Sequence, residues 1–130
     1  MSHLKGILFL IGALLGLNDH LFAQDLVNQE IAIFATAIAQ NNVQLIDVRT
    51  GPEYAEGHLE NARLIDWKNS NNFKKAVEKL DKDKPIYVYC RSGRRSTDAG
   101  NYLVNHGFKH VFNLEGGIQL WQAKGKKIIK

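Results

Sequence analysis

The stretch YVYCRSGRRST, residues 87–97, holds the side chains best suited to covalent chemistry. Cys90 is the only cysteine of the chain, and Arg91, Arg94 and Arg95 follow it within five positions. The thiolate form of cysteine is the nucleophile, and nearby positive charges favour that form over the thiol. The stretch therefore predicts a reactive cysteine and an anionic substrate, which the arginines attract.

The elements on either side of this stretch determine where the sulfur lies. Residues 86–90 are β-branched and aromatic, which predicts a strand that ends at Cys90. Residues 96–107 are expected to form a helix with Ser96 as its N-cap. The loop between them can direct its backbone N–H groups inward, with Gly93 free to adopt a positive φ, and the helix start adds unpaired N–H groups. We expect an anion cradle that stabilises a thiolate at Cys90 without a histidine base.

The rest of the chain alternates between predicted strands and helices. Further strands are expected at residues 43–48, 62–67 and 110–114, and helices at residues 27–42, 51–57, 71–80 and 116–125. The first helix is predicted from Ile31, Phe34 and Ile38 at helical spacing, with Asn28 as a possible N-cap. Such alternation predicts an α/β fold with a parallel sheet and helices on both faces. Ligands of these sheets bind at the carboxyl ends of the strands, where Cys90 lies.

The first 23 residues differ in composition from the rest. Lys5 precedes an apolar run at residues 6–17, and Ala23 is a small residue suited to cleavage. This three-part pattern is typical of a secretory signal peptide, with a buried first helix as the alternative. Twelve apolar residues are too few to cross a bilayer core of ~30 Å. We therefore expect a cleaved signal peptide at residues 1–23, a domain at residues 24–130, export to the bacterial periplasm and no stable membrane anchor.

The overall composition is that of one globular domain. Hydrophobic residues make up 45% and charged residues 23% of the 130 residues, close to the averages for folded proteins. The net charge of +4 comes largely from the arginines beside Cys90 and from a lysine-rich end at residues 124–130. We interpret that end as a solvated tail. We expect a monomer with no nucleic-acid partner.

Three stretches of the chain resemble the signatures of the single-domain rhodanese-like sulfurtransferases. They are LIDVRTGPEYAEGHLENA with Asp47, Arg49, Glu53, Gly57 and His58 in place, YVYCRSGRRS as the active-site loop, and GFKHVFNLEGGIQLWQAKG with Gly116, Gly117 and Trp121. One departure is Asn61, where the family usually has glycine; asparagine tolerates left-handed geometry better than most residues. The resemblance implies a three-layer rhodanese fold with a small, mainly parallel sheet of about five strands.

The resemblance also implies an activity. Cys90 would take a sulfane sulfur from a donor such as thiosulfate as a persulfide, and a thiophilic acceptor, cyanide or a thiol, would then remove it. No metal or organic cofactor is required. The loop residues expected to bind substrate beside the catalytic Cys90 are Arg91, Ser92, Gly93, Arg94, Arg95 and Ser96.

Some roles stay open at this point. Arg95 either binds the donor or pairs with a carboxylate, and Ser92 either bonds to the sulfur or only shapes the turn. Structural roles are expected for several residues outside the loop, namely Asp47, Arg49, His58, Trp67 and Trp121.

Three other functions remain as alternatives. A persulfide carrier that delivers sulfur to a partner protein needs the same cysteine environment. The second alternative is a redox-sensing dimer linked by a Cys90 disulfide. The absence of a second, resolving cysteine in the sequence counts against it. The third alternative is phosphatase or arsenate-reductase activity. Related phosphatases carry an arginine six positions after the cysteine, where this chain has Ser96, so we expect a loop that suits sulfur better than a phosphoryl group.

Overall fold

Five strands and five helices alternate along residues 25–130, the part of the chain that the computed structural model describes. The strands are β1 (Val27–Gln29), β2 (Gln44–Asp47), β3 (Arg63–Leu64), β4 (Ile86–Tyr89) and β5 (Val111–Leu114). The helices are α1 (Ile31–Ile38), α2 (Gly51–Glu56), α3 (Ser70–Val77), α4 (Arg94–Asn105) and α5 (Gly117–Ala123). The predicted signal peptide, residues 1–23, lies outside the described residues. Within residues 25–130, no helix is long and apolar enough to cross a bilayer, and no cluster of three His, Cys, Asp or Glu side chains could hold a metal ion.

The five strands form one parallel sheet in the order β1-β5-β4-β2-β3. Strand β4 lies in the middle, paired with β5 on one side and β2 on the other. Cys90 follows β4 directly, so the central strand carries the reactive residue to the carboxyl edge of the sheet. The predicted α/β class, with a five-stranded parallel sheet, is confirmed.

Each face of the sheet is covered by its own hydrophobic core. Neighbouring residues of a strand point to opposite faces, and Leu45 and Ile46 of β2 accordingly belong to different cores. Helices α3 and α4 pack on one face, where Phe73 and Leu103 are buried. Helices α1 and α5 cover the other face, which completes the predicted three-layer arrangement.

The prediction of one helix over residues 27–42 is wrong at its N-terminal end. Val27–Gln29 form β1, which pairs with β5, and α1 begins at Ile31 with Glu30 as N-cap, so Asn28 does not cap it. Strand β1 is a three-residue edge strand with two polar residues, so it has no hydrophobic alternation that would reveal it. Its backbone pairing and the bond from Asn113 to the Asn28 side chain, 2.9 Å long, hold it in place.

Candidate active site

The sulfur of Cys90 is surrounded by hydrogen-bond donors at the carboxyl end of β4. The backbone N–H of Gly93 donates to Sγ over 3.1 Å, and that of Ser96 over 3.4 Å. The Ser96 hydroxyl donates to the same sulfur over 3.3 Å. We call these three donors the sulfur cradle. Cys90 is only 1% exposed, so the cradle supplies the hydrogen bonds that water would give an exposed thiolate.

Helix α4 begins three residues earlier than the sequence predicts, as counted from the N-cap. Its N-cap is Gly93, at a φ of +113°, and not Ser96. A left-handed N-cap suits glycine, which has no Cβ to clash with the backbone. Ser96 is therefore the third residue of the helix, and its N–H is one of the unpaired groups of the first turn. The positive end of the helix thus donates directly to the sulfur.

The sulfur cradle favours the thiolate form of Cys90. Burial by itself would raise the pKa of the Cys90 thiol, but the hydrogen bonds outweigh it and the pKa lies below its ordinary value. The Ser96 hydroxyl and N–H contribute most to this lowering of the pKa, followed by the N–H groups of Gly93 and Ser92. Ser92 therefore acts through its backbone, while the residue itself is exposed. A larger thiolate fraction at neutral pH removes the need for a general base.

The start of helix α5 holds the opposite side of the loop. The N–H of Ile118 donates to the carbonyl of Cys90 over 2.9 Å, and that of Gln119 donates to the carbonyl of Arg91 over 3.0 Å. These two carbonyls face α5, so loop N–H groups remain available for the sulfur. Gly117 has a φ of +62°, and a Cβ there would lie 2.7 Å from the Cys90 carbonyl oxygen. The close approach of the two segments therefore requires glycine at this position.

Arg95 forms a two-point ion pair with Glu53 of α2. Its Nη1 lies 2.8 Å from Oε1 and its Nη2 lies 3.0 Å from Oε2 of the carboxylate. The Arg95 hydrogen bonds, aided by those from Thr50, lower the pKa of Glu53 to about 2, despite partial burial. The charge of Arg95 is thus matched within the protein, which favours the structural alternative for this residue. The pair joins the first turn of α4 to α2.

Arg91 and Arg94 are placed differently from Arg95. Both are exposed, and neither forms a salt bridge within residues 25–130. Arg91 also lines a cleft of about 430 Å³ beside the loop, together with Arg49 and residues of α2 and α5. These two guanidinium groups are therefore free to meet an anion that approaches Cys90.

A buried hydrogen-bond network fixes the strand ends next to the loop. Arg49 Nη2 lies 2.7 Å from Asp47 Oδ2 and donates to the Gly57 carbonyl over 2.6 Å. The Tyr89 hydroxyl donates to the same carboxylate over 2.6 Å and accepts the N–H of Leu59 over 3.0 Å. Burial raises the pKa of Tyr89 far above its ordinary value, so its hydroxyl keeps its proton. These contacts fit the structural roles predicted for Asp47 and Arg49, and they add Tyr89, which the sequence did not single out.

The other residues predicted to be structural make their contacts with groups other than the sulfur. His58 stacks on Tyr54 with ring centres 3.7 Å apart, and its Nδ1 lies 3.0 Å from the Tyr54 carbonyl oxygen. The Nε1 of Trp121 donates over 2.9 Å to the carbonyl of Lys127, in the C-terminal tail. Trp67 packs against the core on the face of α3 and α4. These contacts fit the packing roles expected for Trp67 and Trp121 and the structural hydrogen bond expected for His58.

Comparisons with known proteins find relatives of this chain. The family model for the rhodanese-like domain matches residues 30–124. Among curated proteins, the thiosulfate sulfurtransferase GlpE of Pseudomonas fluorescens is 38% identical over 89 residues, which cover 68% of this chain and 79% of that protein. The thiosulfate sulfurtransferase GlpE of Coxiella burnetii is 35% identical over 86 residues, covering 66% of this chain and 78% of the relative.

Solved structures show the same architecture. A rhodanese-related protein from Thermoplasma volcanium superposes with a TM-score of 0.70 at 26% identity, covering 79% of this chain and 97% of that one. A rhodanese-like domain protein from Staphylococcus aureus gives a TM-score of 0.64 at 27% identity, with 82% and 100% of the two chains covered. On the strength of the matched domain and its relatives, this chain belongs to the rhodanese-like domain family.

Proposed function

We propose that this protein transfers a sulfane sulfur from an anionic donor such as thiosulfate to a thiophilic acceptor, through a persulfide at Cys90. The family and the relatives named thiosulfate sulfurtransferase support the enzyme class, a thiosulfate sulfurtransferase-type transferase. The observation that carries the proposal is the sulfur cradle, whose donors at Gly93 and Ser96 favour an ionised sulfur at Cys90. An anionic nucleophile in an N–H-lined site is what two-step group transfer needs.

In the first step, the Cys90 thiolate attacks the outer sulfur of thiosulfate. A new S–S bond forms to Sγ, while the S–S bond of the donor breaks and its electron pair leaves with sulfite. The products are a persulfide anion on Cys90 and sulfite, so the total charge is unchanged and no proton is transferred. The negative charge moves to the outer sulfur, where loop N–H groups and the end of α4 can stabilise it.

In the second step, the acceptor attacks the outer sulfur of the persulfide. Cyanide is converted to thiocyanate, or a thiolate acceptor to its own persulfide. The electron pair of the broken S–S bond returns to Cys90 Sγ. The enzyme is then restored as a thiolate. The chemistry proposed here calls on no metal or organic cofactor.

The arginines that bind the donor are Arg91 and Arg94 in this proposal. Both are exposed beside the loop and have no carboxylate partner within residues 25–130, whereas Arg95 is neutralised by Glu53. An attack of one anion on another is slowed by repulsion, which nearby cations reduce. Arg91 and Arg94 therefore serve both to attract thiosulfate and to hold the sulfite as it leaves.

A steady-state assay with thiosulfate and cyanide tests the proposal. The wild-type protein is expected to form thiocyanate, and Cys90→Ser, which keeps the size of the side chain, is expected to form none above background. Retained turnover in Cys90→Ser would exclude the persulfide mechanism. Single-turnover loading followed by transfer to a protein thiol, with slow steady-state turnover, would instead indicate a persulfide carrier that serves a partner protein.

We also propose that the protein is exported and acts as a monomer in the periplasm. The support is the signal-peptide pattern at residues 1–23, with its basic start, apolar run and small residue at Ala23. The test is the N-terminal sequence of the protein recovered from the periplasm of an expressing bacterium. A start at Gln24 is expected, and an intact N-terminus in the cytoplasmic fraction would contradict export.

Gel filtration under oxidising conditions tests the proposed monomer, since a Cys90 disulfide would double the mass.

A further inference from the structure

The Ser96 hydroxyl has one hydrogen and two acceptors within reach. Its Oγ lies 3.3 Å from Cys90 Sγ and 3.2 Å from the carbonyl oxygen of Gly93. A hydroxyl donates a single hydrogen bond, so the sulfur and the carbonyl compete for it. The outcome of this competition decides whether the Ser96 hydroxyl, one of the three donors of the sulfur cradle, serves the thiolate.

Thr97 donates two hydrogen bonds to the competing acceptor, the carbonyl oxygen of Gly93. Its N–H donates to the Gly93 carbonyl over 3.0 Å, and its hydroxyl donates to the same oxygen over 2.6 Å. A carbonyl oxygen has two lone pairs, and these two bonds use both of them. The hydrogen of Ser96 is therefore left for the sulfur.

A contact from Asn113 of β5 supports the direction in which the Thr97 hydroxyl hydrogen points. Nδ2 of Asn113 lies 3.5 Å from Thr97 Oγ1 and 2.9 Å from Oδ1 of Asn28 in β1. An amide nitrogen can only donate, so Thr97 Oγ1 accepts on that side and its own hydrogen must point elsewhere, toward Gly93. Asn113 is 3% exposed, so its amide is held inside the fold, while Thr97 is half-buried and Asn28 is exposed.

We infer that Thr97, oriented by Asn113, is a positioning residue of the active site that directs the Ser96 hydroxyl hydrogen to Cys90 Sγ. The inference rests on the proposed function, because it names a determinant of the same thiolate. Without the Thr97 hydroxyl, one lone pair of the Gly93 carbonyl is vacated and Ser96 divides its hydrogen between carbonyl and sulfur. The thiolate then loses part of one hydrogen bond, while the helix loses little, since Ser96 replaces Thr97 at the carbonyl.

Several charged groups lie on the loop and on the elements next to it. They are Arg91, Arg94, Arg95 and Asp98 on the loop and α4, Glu53 and Glu56 on α2, Asp47 at the end of β2 with Arg49 after it, and Glu115 before α5. Every one of them is retained in the variants below. A shift between variants therefore reports the redirected hydroxyl and not a change of charge.

The test is the rate of alkylation of Cys90 by iodoacetamide as a function of pH, which follows the thiolate fraction. Thr97→Val keeps the shape of the side chain, and we expect it to move the midpoint of the profile to higher pH. Below the midpoint it should react roughly threefold more slowly, compared with about tenfold for Ser96→Ala, which loses the whole charge-assisted bond. Thr97→Ser retains the hydroxyl and should restore the wild-type midpoint.

A double-mutant cycle separates this mechanism from a general loosening of the loop. In the Ser96→Ala background, Thr97→Val is expected to cause no further shift, because no serine hydrogen remains to be redirected. An unshifted midpoint in Thr97→Val, or an equal shift with and without Ser96, would overturn the inference. Thr97→Ala serves as a second variant should valine disturb α4. Retained turnover in Cys90→Ser would count against the proposed function alone, so the two failures are distinguishable.

Discussion

Arg95 and Glu53 bind each other through two parallel hydrogen bonds, 2.8 Å and 3.0 Å long, across 42 positions of sequence. The pair connects the first turn of α4, which carries the Ser96 donors, to the capping box of α2, in which Thr50 and Glu53 bond to each other. Such bidentate geometry is the strongest form of an arginine–carboxylate contact. Two segments that meet only in the folded state are thereby held in register at the active site.

The first prediction concerns the pH dependence of this ion pair. Hydrogen bonds from Arg95 hold the pKa of Glu53 at about 2 in the folded protein, below its ordinary 4.5. The folded state therefore binds this proton less tightly than the unfolded state, so the stabilisation is complete above pH 4.5 and disappears as the pH falls toward 2. Glu53→Gln should melt at lower temperature at pH 6, and the difference from wild type should shrink at pH 3. Glu56→Gln, exposed on the same helix, is the control, and an equal effect in both variants would contradict the assignment.

The second prediction concerns the close approach of Gly117 to the loop. Gly117→Ala combines an unfavourable positive φ with a Cβ placed 2.7 Å from the Cys90 carbonyl oxygen. Gly125→Ala has the same φ problem, at +76°, with open space around the Cβ, so it should cost only about 1–2 kcal/mol of unfolding free energy. We expect Gly117→Ala to lose clearly more stability in urea titrations and to slow alkylation of Cys90. Equal losses in the two variants would show that the contact with the loop is unimportant.

The third prediction separates the arginines by function. Arg94→Ala removes an exposed charge that has no salt-bridge partner within residues 25–130, so the KM for thiosulfate should rise up to about tenfold, with a much smaller change for an uncharged polysulfide donor. Arg95→Ala breaks the bond to Glu53, so it should lower stability and affect both donors alike. Arg63→Ala, exposed on β3, controls for the loss of one positive charge. Equal changes for both donors in Arg94→Ala would remove Arg94 from donor binding.

The fourth prediction concerns the buried network before the loop. Tyr89→Phe leaves the N–H of Leu59 and the Asp47 carboxylate each without one bond, which should cost roughly 1–3 kcal/mol of unfolding free energy. The alkylation profile of Cys90 should keep its midpoint, since Tyr89 does not touch the sulfur cradle. Tyr87→Phe, at a partly exposed ring on the same strand, controls for removing a tyrosine hydroxyl. A shifted midpoint in Tyr89→Phe would mean that the network acts on the sulfur.

The sequence predicted the elements around Cys90 better than it predicted their individual contacts. Cys90 at a strand end, followed by a glycine-containing loop and a helix, could be recognised because each signal lies within a few residues. The start of α4 was misplaced because serine is a common N-cap, whereas here Gly93 caps the helix in a left-handed conformation and Ser96 faces the sulfur. A local pattern of residue types does not specify which of these two positions a serine takes.

The partners that lie far along the sequence from the active-site loop could not be predicted, for a related reason. The partner of Arg95 lies on α2, and the acceptors of the α5 N–H groups are carbonyls of Cys90 and Arg91. These contacts depend on the order of strands in the sheet, which composition and periodicity do not determine. The sequence could therefore identify Arg95 as a residue with two possible roles but could not choose between them.

The most direct measurement of the central claim is the intact mass of the protein before and after treatment with thiosulfate. We predict an increase of about 32 Da, one sulfur atom, located on the peptide that contains Cys90. Cyanide should remove the added mass and release one equivalent of thiocyanate, and Cys90→Ser should gain no mass. An unchanged wild-type mass, or an adduct that persists in Cys90→Ser, would contradict a persulfide held in the sulfur cradle.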